Sequence, residues 1–357
     1  MRITDIPAGI LEKFRKGCVI PAHPLSLNED KTMDTDDMRA IARYYIDAGV
    51  GGIAIGVHTT QFEIRDPDVG LFEKVLRFTS STIDSYCAET KQSIMKISGV
   101  CGDTEQAISE ARFSRELGFH ASLLSLAALK DASIDEMIAH CKAIAAEIPI
   151  IGFYLQPAVG GRVLPFEFWR RFAEIDNVLG IKMAPFNRYQ TIDVVRAVCE
   201  AGKENDITLY TGNDDNIVMD LLSPYRFETE TGPKEIRIKG GLLGHWCVWT
   251  RTAVALIDEL HTYTESNRDI PQELLTRNIE VTDSNAVFFD AANAFAGCIP
   301  GVHEVLRRQG LMKSVRCLNS KEILSPGQSD EIDRVYASYP HLNDDAFIKD
   351  NIDKWFA

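Results

Sequence analysis

The chain contains no apolar run near the ~18 to 20 residues needed to cross a bilayer, so a membrane-spanning role is not expected. It also lacks a Cys-x-x-Cys pair. Its eight cysteines, at positions 18, 87, 101, 141, 199, 247, 298 and 317, are scattered, which argues against a disulfide framework or a thiolate zinc site and for a reduced cytosolic compartment. No basic stripe offsets a formal net charge of −14, a field that repels nucleic acid and anionic membranes alike. No strand-like run leads into Gly-x-Gly-x-x-Gly, so the dinucleotide cradle of a doubly wound sheet is missing. There is no His-x-His, and His23 and His58 sit on different apolar runs, so no metal is expected. Between Met1 and Gly17 charged residues interrupt every apolar piece, unlike a secretory leader, and the expected location is the cytoplasm.

What is present is ordinary globular composition, 45% apolar and 25% charged over 357 residues, arranged in a repeating pattern. Short, nearly continuous apolar runs read as strands covered on both faces: Cys18–Ala22, Gly52–Val57, Ile94–Ser98, His120–Leu124, Pro149–Tyr154, Val178–Met183, Ile207–Thr211 and Gly241–His245. Between them lie amphipathic helices. Met38, Ile41, Ala42, Tyr45 and Ile46 form one apolar stripe. Ile134, Met137, Ile138, Cys141, Ile144 and Ala145 form another, opened by Ser133 and Glu136 at capping-box spacing. Eight strand–helix repeats predict an α/β fold of the (β/α)8 TIM-barrel type. The barrel is expected over residues 1–265, with an inserted loop or small hairpin at 223–239, followed by a C-terminal helical region over 266–357. The apolar residues Phe347, Ile352, Trp355 and Phe356 are expected to dock on the domain or on a neighbouring subunit.

Reactive groups of such barrels stand at the C-terminal ends of the strands. Lys182 interrupts the apolar run Val178-Leu-Gly-Ile-Lys-Met-Ala184. An unperturbed lysine is under about 0.1% neutral at pH 7, whereas a drop of ~3 units on burial leaves roughly a quarter neutral. A neutral amine attacks a ketone and forms an iminium, an electron sink. The other reading pairs Lys182 with Asp214 or Asp215. Tyr154 ends the fifth run, either as a proton shuttle or as a cap on the core. Asp214 and Asp215, in a turn that opens a helix, also suit a helix cap or a cation site.

These residues carry a resemblance. Tyr154-Leu-Gln-Pro157, followed 28 positions after Tyr154 by Gly180-Ile-Lys182, resembles the tyrosine–lysine signature of the dihydrodipicolinate synthase/N-acetylneuraminate lyase family. Thr211-Gly-Asn-Asp-Asp215 is similar to the family's turn after the seventh strand, and Tyr44–Gly49 with Ile53–Gly56 to its second strand and the preceding helix. The resemblance spans roughly residues 15 to 310. It implies a barrel that binds pyruvate or a related 2-oxo acid covalently at Lys182, with no separate cofactor, in a homo-oligomer (dimer or tetramer). His58 in a gapless reading of the loop, or Thr59 and Thr60 with one inserted residue, would bind the carboxylate. Gly212, Leu243 and His245 would complete the substrate site, and Arg162 either substitutes for the family's arginine or stands on the surface.

The departures from the family pattern shape the expected activity. The family's Gly-Thr-Thr-Gly-Glu loop is here Gly56-Val-His-Thr-Thr-Gln-Phe-Glu63. Its tyrosines after the fourth strand are replaced by Ser125-Leu-Ala-Ala-Leu129, and Val159 stands where its carboxylate-gripping arginine would be. The expected function is therefore a Schiff-base lyase or aldolase acting on a small 2-oxo acid by cleavage, condensation or dehydration, and not the biosynthetic synthase. A non-catalytic ligand-binding or regulatory barrel is the alternative, and a metal-dependent lyase or hydrolase a third reading.

Overall fold

The computed structural model describes residues 1–266 and 268–357. Its core strands are β1 (Val19–Pro21), β2 (Gly52–Ile55), β3 (Met95–Val100), β4 (Ala121–Leu124), β5 (Ile150–Leu155), β6 (Val178–Ala184) and β7 (Thr208–Thr211). Two more follow, β8 (Pro224–Thr229) and β9 (Gly232–Leu243). Parallel pairing runs in the order β1-β9-β7-β6-β5-β4-β3-β2. The ring closes between β1 and β2 through a single bridge, Ala22 to Ala54, with the His23 N–H donating to the Ala54 carbonyl at 2.7 Å. The result is a nearly closed (β/α)8 barrel. Every residue of β1 to β7 is buried, because the packed interior covers one face and the helical layer the other.

Each predicted run overlaps one barrel strand, and the last runs longer than predicted. Residues 223–239 form a hairpin in which β8 pairs antiparallel with the first half of β9, from Pro224–Arg237 to Thr229–Gly232. Its side chains alternate between exposed and half-buried, the pattern of a ribbon solvated on one side. The other half of β9 enters the barrel.

Local signals set the helices. Asp34 caps Thr35–Ala48 by accepting from the backbone N–H groups of Asp36 and Asp37, and Gly49 ends that helix at φ 97°. Ser133 and Glu136 form the predicted reciprocal cap on Ile134–Ala145. At the N-terminal end of the barrel, Phe14 stacks on Tyr210 with ring centroids 4.6 Å apart, and the Tyr210 hydroxyl donates to the Phe14 carbonyl at 2.8 Å. Beyond the barrel, the helices Gln272–Phe288 and Cys298–Arg308 reach its C-terminal mouth, and Asp345–Phe356 packs against Thr35–Ala48. Trp355 is fully buried there. It lies 5.3 Å from the Tyr44 ring, and its indole N–H donates to Asp47 at 2.8 Å. The terminal apolar residues thus dock on the domain itself. Among the described residues no helix is long and apolar enough to cross a membrane.

Candidate active site

Strand alternation decides what reaches the barrel mouth. On β6, Lys182 and Ala184 face inward and line a cavity at the C-terminal ends of the strands; on β5, Phe153 and Leu155 do so. The register places Phe153 level with Lys182 and Tyr154 level with Met183. The Lys182 Nζ lies 4.5 Å from the centroid of the Phe153 ring, close enough for a cation–π contact. Among the described residues no side chain hydrogen-bonds to that amine. Burial outweighs the pull of Asp214 and pushes its pKa down to about 8.

Gly212 gives the lysine room. A β-carbon there would stand 2.6 Å from Lys182 Cε and 2.8 Å from Ala184 Cβ. Two residues on, Asp214 lines the same cavity. Burial raises its carboxyl to about 7, against the lowering effects of the His245 N–H bond and the Lys182 charge. Its Oδ1 accepts from the His245 backbone N–H at 3.1 Å, and its carbonyl accepts from Asn285 Nδ2 at 2.7 Å. The turn that carries it is fixed by buried polar contacts. Thr211 Oγ1 donates to Asp220 at 2.6 Å, and Asn213 Nδ2 donates to the same carboxylate at 3.0 Å. Two titratable groups of opposite charge type thus share one dry space, with pKa values drawn toward each other and toward neutrality.

The loop after β2 supplies the third component. Val57, His58 and Thr59 line the cavity, and His58–Thr60 form one tight helical turn. The first N–H groups of such a turn have no acceptor within it. Desolvation, and then the nearby Lys182 charge, lowers the His58 imidazole to about 4, so it is neutral at pH 7. Thr60 is committed elsewhere: its hydroxyl donates to the His23 carbonyl at 2.7 Å and accepts from the Gly56 N–H at 3.0 Å. It holds the loop and does not line the cavity.

Other expected residues are placed differently. Tyr154 is not among the cavity-lining residues. With Gly152 it faces outward, its ring 5.4 Å from that of Trp169, and its hydroxyl accepts from the Leu164 N–H at 3.2 Å. The reason is register: a strand residue and its neighbour point to opposite faces, and here Phe153 takes the inward one. Arg162 ties down the loop after β4 by donating to the carbonyls of Leu129 and Ala132. Leu243 is core, with no exposure. The His245 ring stacks on Phe288 behind the cavity wall, centroids 6.1 Å apart, and only its backbone touches Asp214.

Sequence reasoning passed over Phe153, Phe186, Phe289, Phe295, Cys298, Ile299 and Val302, all of which line the cavity. Phe153 was findable from strand alternation once Lys182 was fixed. The roof from residues 289–302 had no such signal, since it arrives from helices distant in sequence. Among the described residues no three His, Cys, Asp or Glu side chains are grouped to hold a metal ion.

Among the described residues, then, a buried lysine without a hydrogen-bonding partner faces the mouth of a (β/α)8 barrel that trailing helices close. Residues 15–224 match the dihydrodipicolinate synthetase family, and the chain belongs to that family. It is 32% identical over 133 residues to a 4-hydroxy-tetrahydrodipicolinate synthase of Archaeoglobus fulgidus, an alignment covering 36% of this chain and 43% of that relative. The chain thus spans less than half the length of that curated relative. Its fold resembles a dihydrodipicolinate synthase from Acinetobacter baumannii, solved with pyruvate, at a TM-score of 0.71 and 17% identity, covering 91% of this chain and 99% of that one. It also resembles the N-acetylneuraminate lyase of Fusobacterium nucleatum, at a TM-score of 0.68 and 16% identity, with coverage of 91% and 99%.

Proposed function

We propose that this protein is a Schiff-base-forming lyase or aldolase acting on pyruvate or another 2-oxo acid, with Lys182 as the nucleophile. The observation that carries the reading is an amine that faces a cavity, lacks any hydrogen-bonded counter-ion and has its pKa lowered to about 8 by burial. The neutral amine adds to the C2 carbonyl, the carbinolamine loses water, and the iminium withdraws electrons from C3. In this reading the substrate carboxylate sits against the His58–Thr59 turn, whose residues line the cavity and offer backbone N–H groups and a hydroxyl as donors. Asp214 is the acid–base group of this reading. With its carboxyl near 7 it can protonate the departing carbinolamine hydroxyl and later accept a proton back. Tyr154 has no part in the reaction.

The biosynthetic synthase reaction is not included. Val159 stands at the arginine position and Arg162 is held by backbone carbonyls, so a semialdehyde's carboxylate would have no cation to pair with. The division into a barrel over 1–265 and a helical cap over 266–357, assembly as a homo-oligomer, and a cytoplasmic location complete the proposal, the last two on family resemblance. A second reading, a ligand-binding barrel without turnover, is favoured by the outward Tyr154. The test is cyanoborohydride reduction with pyruvate, followed by intact mass. An adduct in the wild type that disappears in Lys182→Ala supports the Schiff base, and no adduct with any 2-oxo acid contradicts it. An adduct without any carbon–carbon or dehydration chemistry would support the second reading.

A further inference from the structure

Resting on the Schiff-base reading, we infer that the outer half of the cavity takes an uncharged apolar group, aryl or branched alkyl, on the carbonyl partner of the 2-oxo acid, and that Phe186 and Phe295 select for it.

The two polar regions of the cavity lie at Lys182 with Asp214 and at the His58–Thr59 turn, and the reading above uses both. What remains is almost wholly apolar: Leu155, Val159, Phe186, Phe289, Phe295 and Ile299, with Gln156 as the polar exception. Lys182 is the one cationic side chain among the lining residues, and an iminium bond engages it. A second carboxylate would therefore be buried beside Asp214 without a cationic partner among the lining residues, which is unfavourable. A polyhydroxylated chain would leave most of its hydroxyls unpaired against hydrocarbon.

Phe186 and Phe295 come from separate loops and meet edge to face, centroids 5.9 Å apart and interplanar angle 73°. Both rings are half-buried at the cavity. Each residue has a left-handed backbone, φ 50° for Phe186 and φ 68° for Phe295, which costs a bulky residue on the order of 1 to 3 kcal/mol. Neighbouring bonds impose that conformation. The Phe186 N–H donates to Asn213 Oδ1 at 3.1 Å, within the turn that carries Asp214. The Phe295 N–H donates to the Asp290 carbonyl at 3.0 Å, and Asp290 Oδ2 accepts from the Gly297 N–H at 2.9 Å. Two strained aromatic residues packed edge to face form a preorganised apolar wall against which a flat or branched group can lie.

In the condensation direction the reaction balances without a further reagent. The enamine C3 attacks the aldehyde carbon, and the C–C bond forms. The carbonyl π pair moves to oxygen and takes a proton from Asp214. Water then cleaves the iminium, releasing a 4-hydroxy-2-oxo acid and regenerating the amine.

The experiment combines pyruvate with benzaldehyde, isobutyraldehyde, glyceraldehyde or aspartate semialdehyde and measures product by mass spectrometry. It uses wild type, Phe186→Ala and Phe295→Ala, with cyanoborohydride trapping of pyruvate run on each variant so that rates are expressed per trappable site. The expected wild-type kcat/KM for the two apolar aldehydes exceeds that for the semialdehyde by about 10²-fold, the scale on which an unpaired buried polar group discriminates. Each phenylalanine variant should reduce the benzaldehyde preference by roughly tenfold, the worth of one lost aromatic contact. Normal trapping with a preference for the charged or hydroxylated aldehyde, with unchanged selectivity in the variants, or with no turnover of any apolar aldehyde overturns this inference alone. Failure of trapping in the wild type overturns the Schiff-base reading and this inference with it.

Discussion

Two lysines interrupt apolar barrel strands, and they have met opposite fates. Lys96, in β3, is 4% exposed and reaches out of the barrel to the helix Phe72–Thr90, where its Nζ donates to both carboxylate oxygens of Asp84 at 2.7 Å and to Ser80 at 3.0 Å. Lys182, in β6, is 9% exposed, faces the lumen, and has an aromatic face and a cavity where Lys96 has a carboxylate. In sequence the two look alike: Met95-Lys-Ile97 and Ile181-Lys-Met183. Burial alone does not make a nucleophile. Desolvation without a hydrogen-bonded counter-ion lowers the pKa of the Lys182 amine and enlarges its neutral fraction. The face of the strand on which each lysine falls decides between these outcomes.

The largest expected effect is at Lys182. Lys182→Ala should abolish turnover and adduct formation, a loss of at least about 10³-fold, while circular dichroism and the unfolding midpoint stay near wild type. The next largest effect is expected at Asp214. Asp214→Asn should lower kcat by about 10²- to 10⁴-fold with little change in apparent pyruvate affinity, as removal of a proton-transfer group does. A variant within threefold of wild type would take Asp214 out of the reaction.

Lys96→Met sharpens the contrast from the other side. Adduct formation and kcat should stay within about twofold of wild type, and urea denaturation should show a loss of up to about 1 kcal/mol from the broken ion pair, whose Asp84 side chain is largely exposed. A large drop in activity at constant stability would mean that Lys96 communicates with the site. A similarly small effect is predicted for Tyr154→Phe. It removes one hydrogen bond, from the Leu164 N–H, worth about 0.5 to 1.5 kcal/mol, and should leave turnover within about threefold. A fall of 10²-fold or more would show that the phenol swings into the cavity during the cycle.

The fold was largely legible. Strands buried on both faces announce themselves as apolar runs, and the caps at Asp34 and Ser133 rest on bonds only two or three residues apart in sequence. The candidate nucleophile was legible only with the family spacing, because Lys96 interrupts an apolar strand in the same way. Tyr154 shows where such reading stops. Its 28-residue spacing from Lys182 counts positions along the chain, but facing depends on register. The β5–β6 pairing shifts between Ile150 and Ile151, and a one-residue shift exchanges inward for outward. The bonds of Arg162 were equally hidden, since the carbonyls that accept from it, at 129 and 132, belong to another loop. The roof was illegible because no local pattern reports that Phe295 will meet Phe186.

The comparison of the two lysines rests on one property, the protonation of the Lys182 amine in the free protein. It can be read directly with lysine labelled at Cε with ¹³C, by NMR titration between pH 6 and 11, with the Lys182 signal assigned through Lys182→Arg. A midpoint near 8 is expected, with the amine charged below it and neutral above, set by burial against the opposing pull of Asp214. A midpoint at or above the ordinary lysine value of about 10.4 would mean that Lys182 is held as a cation like any paired lysine, and would contradict the account.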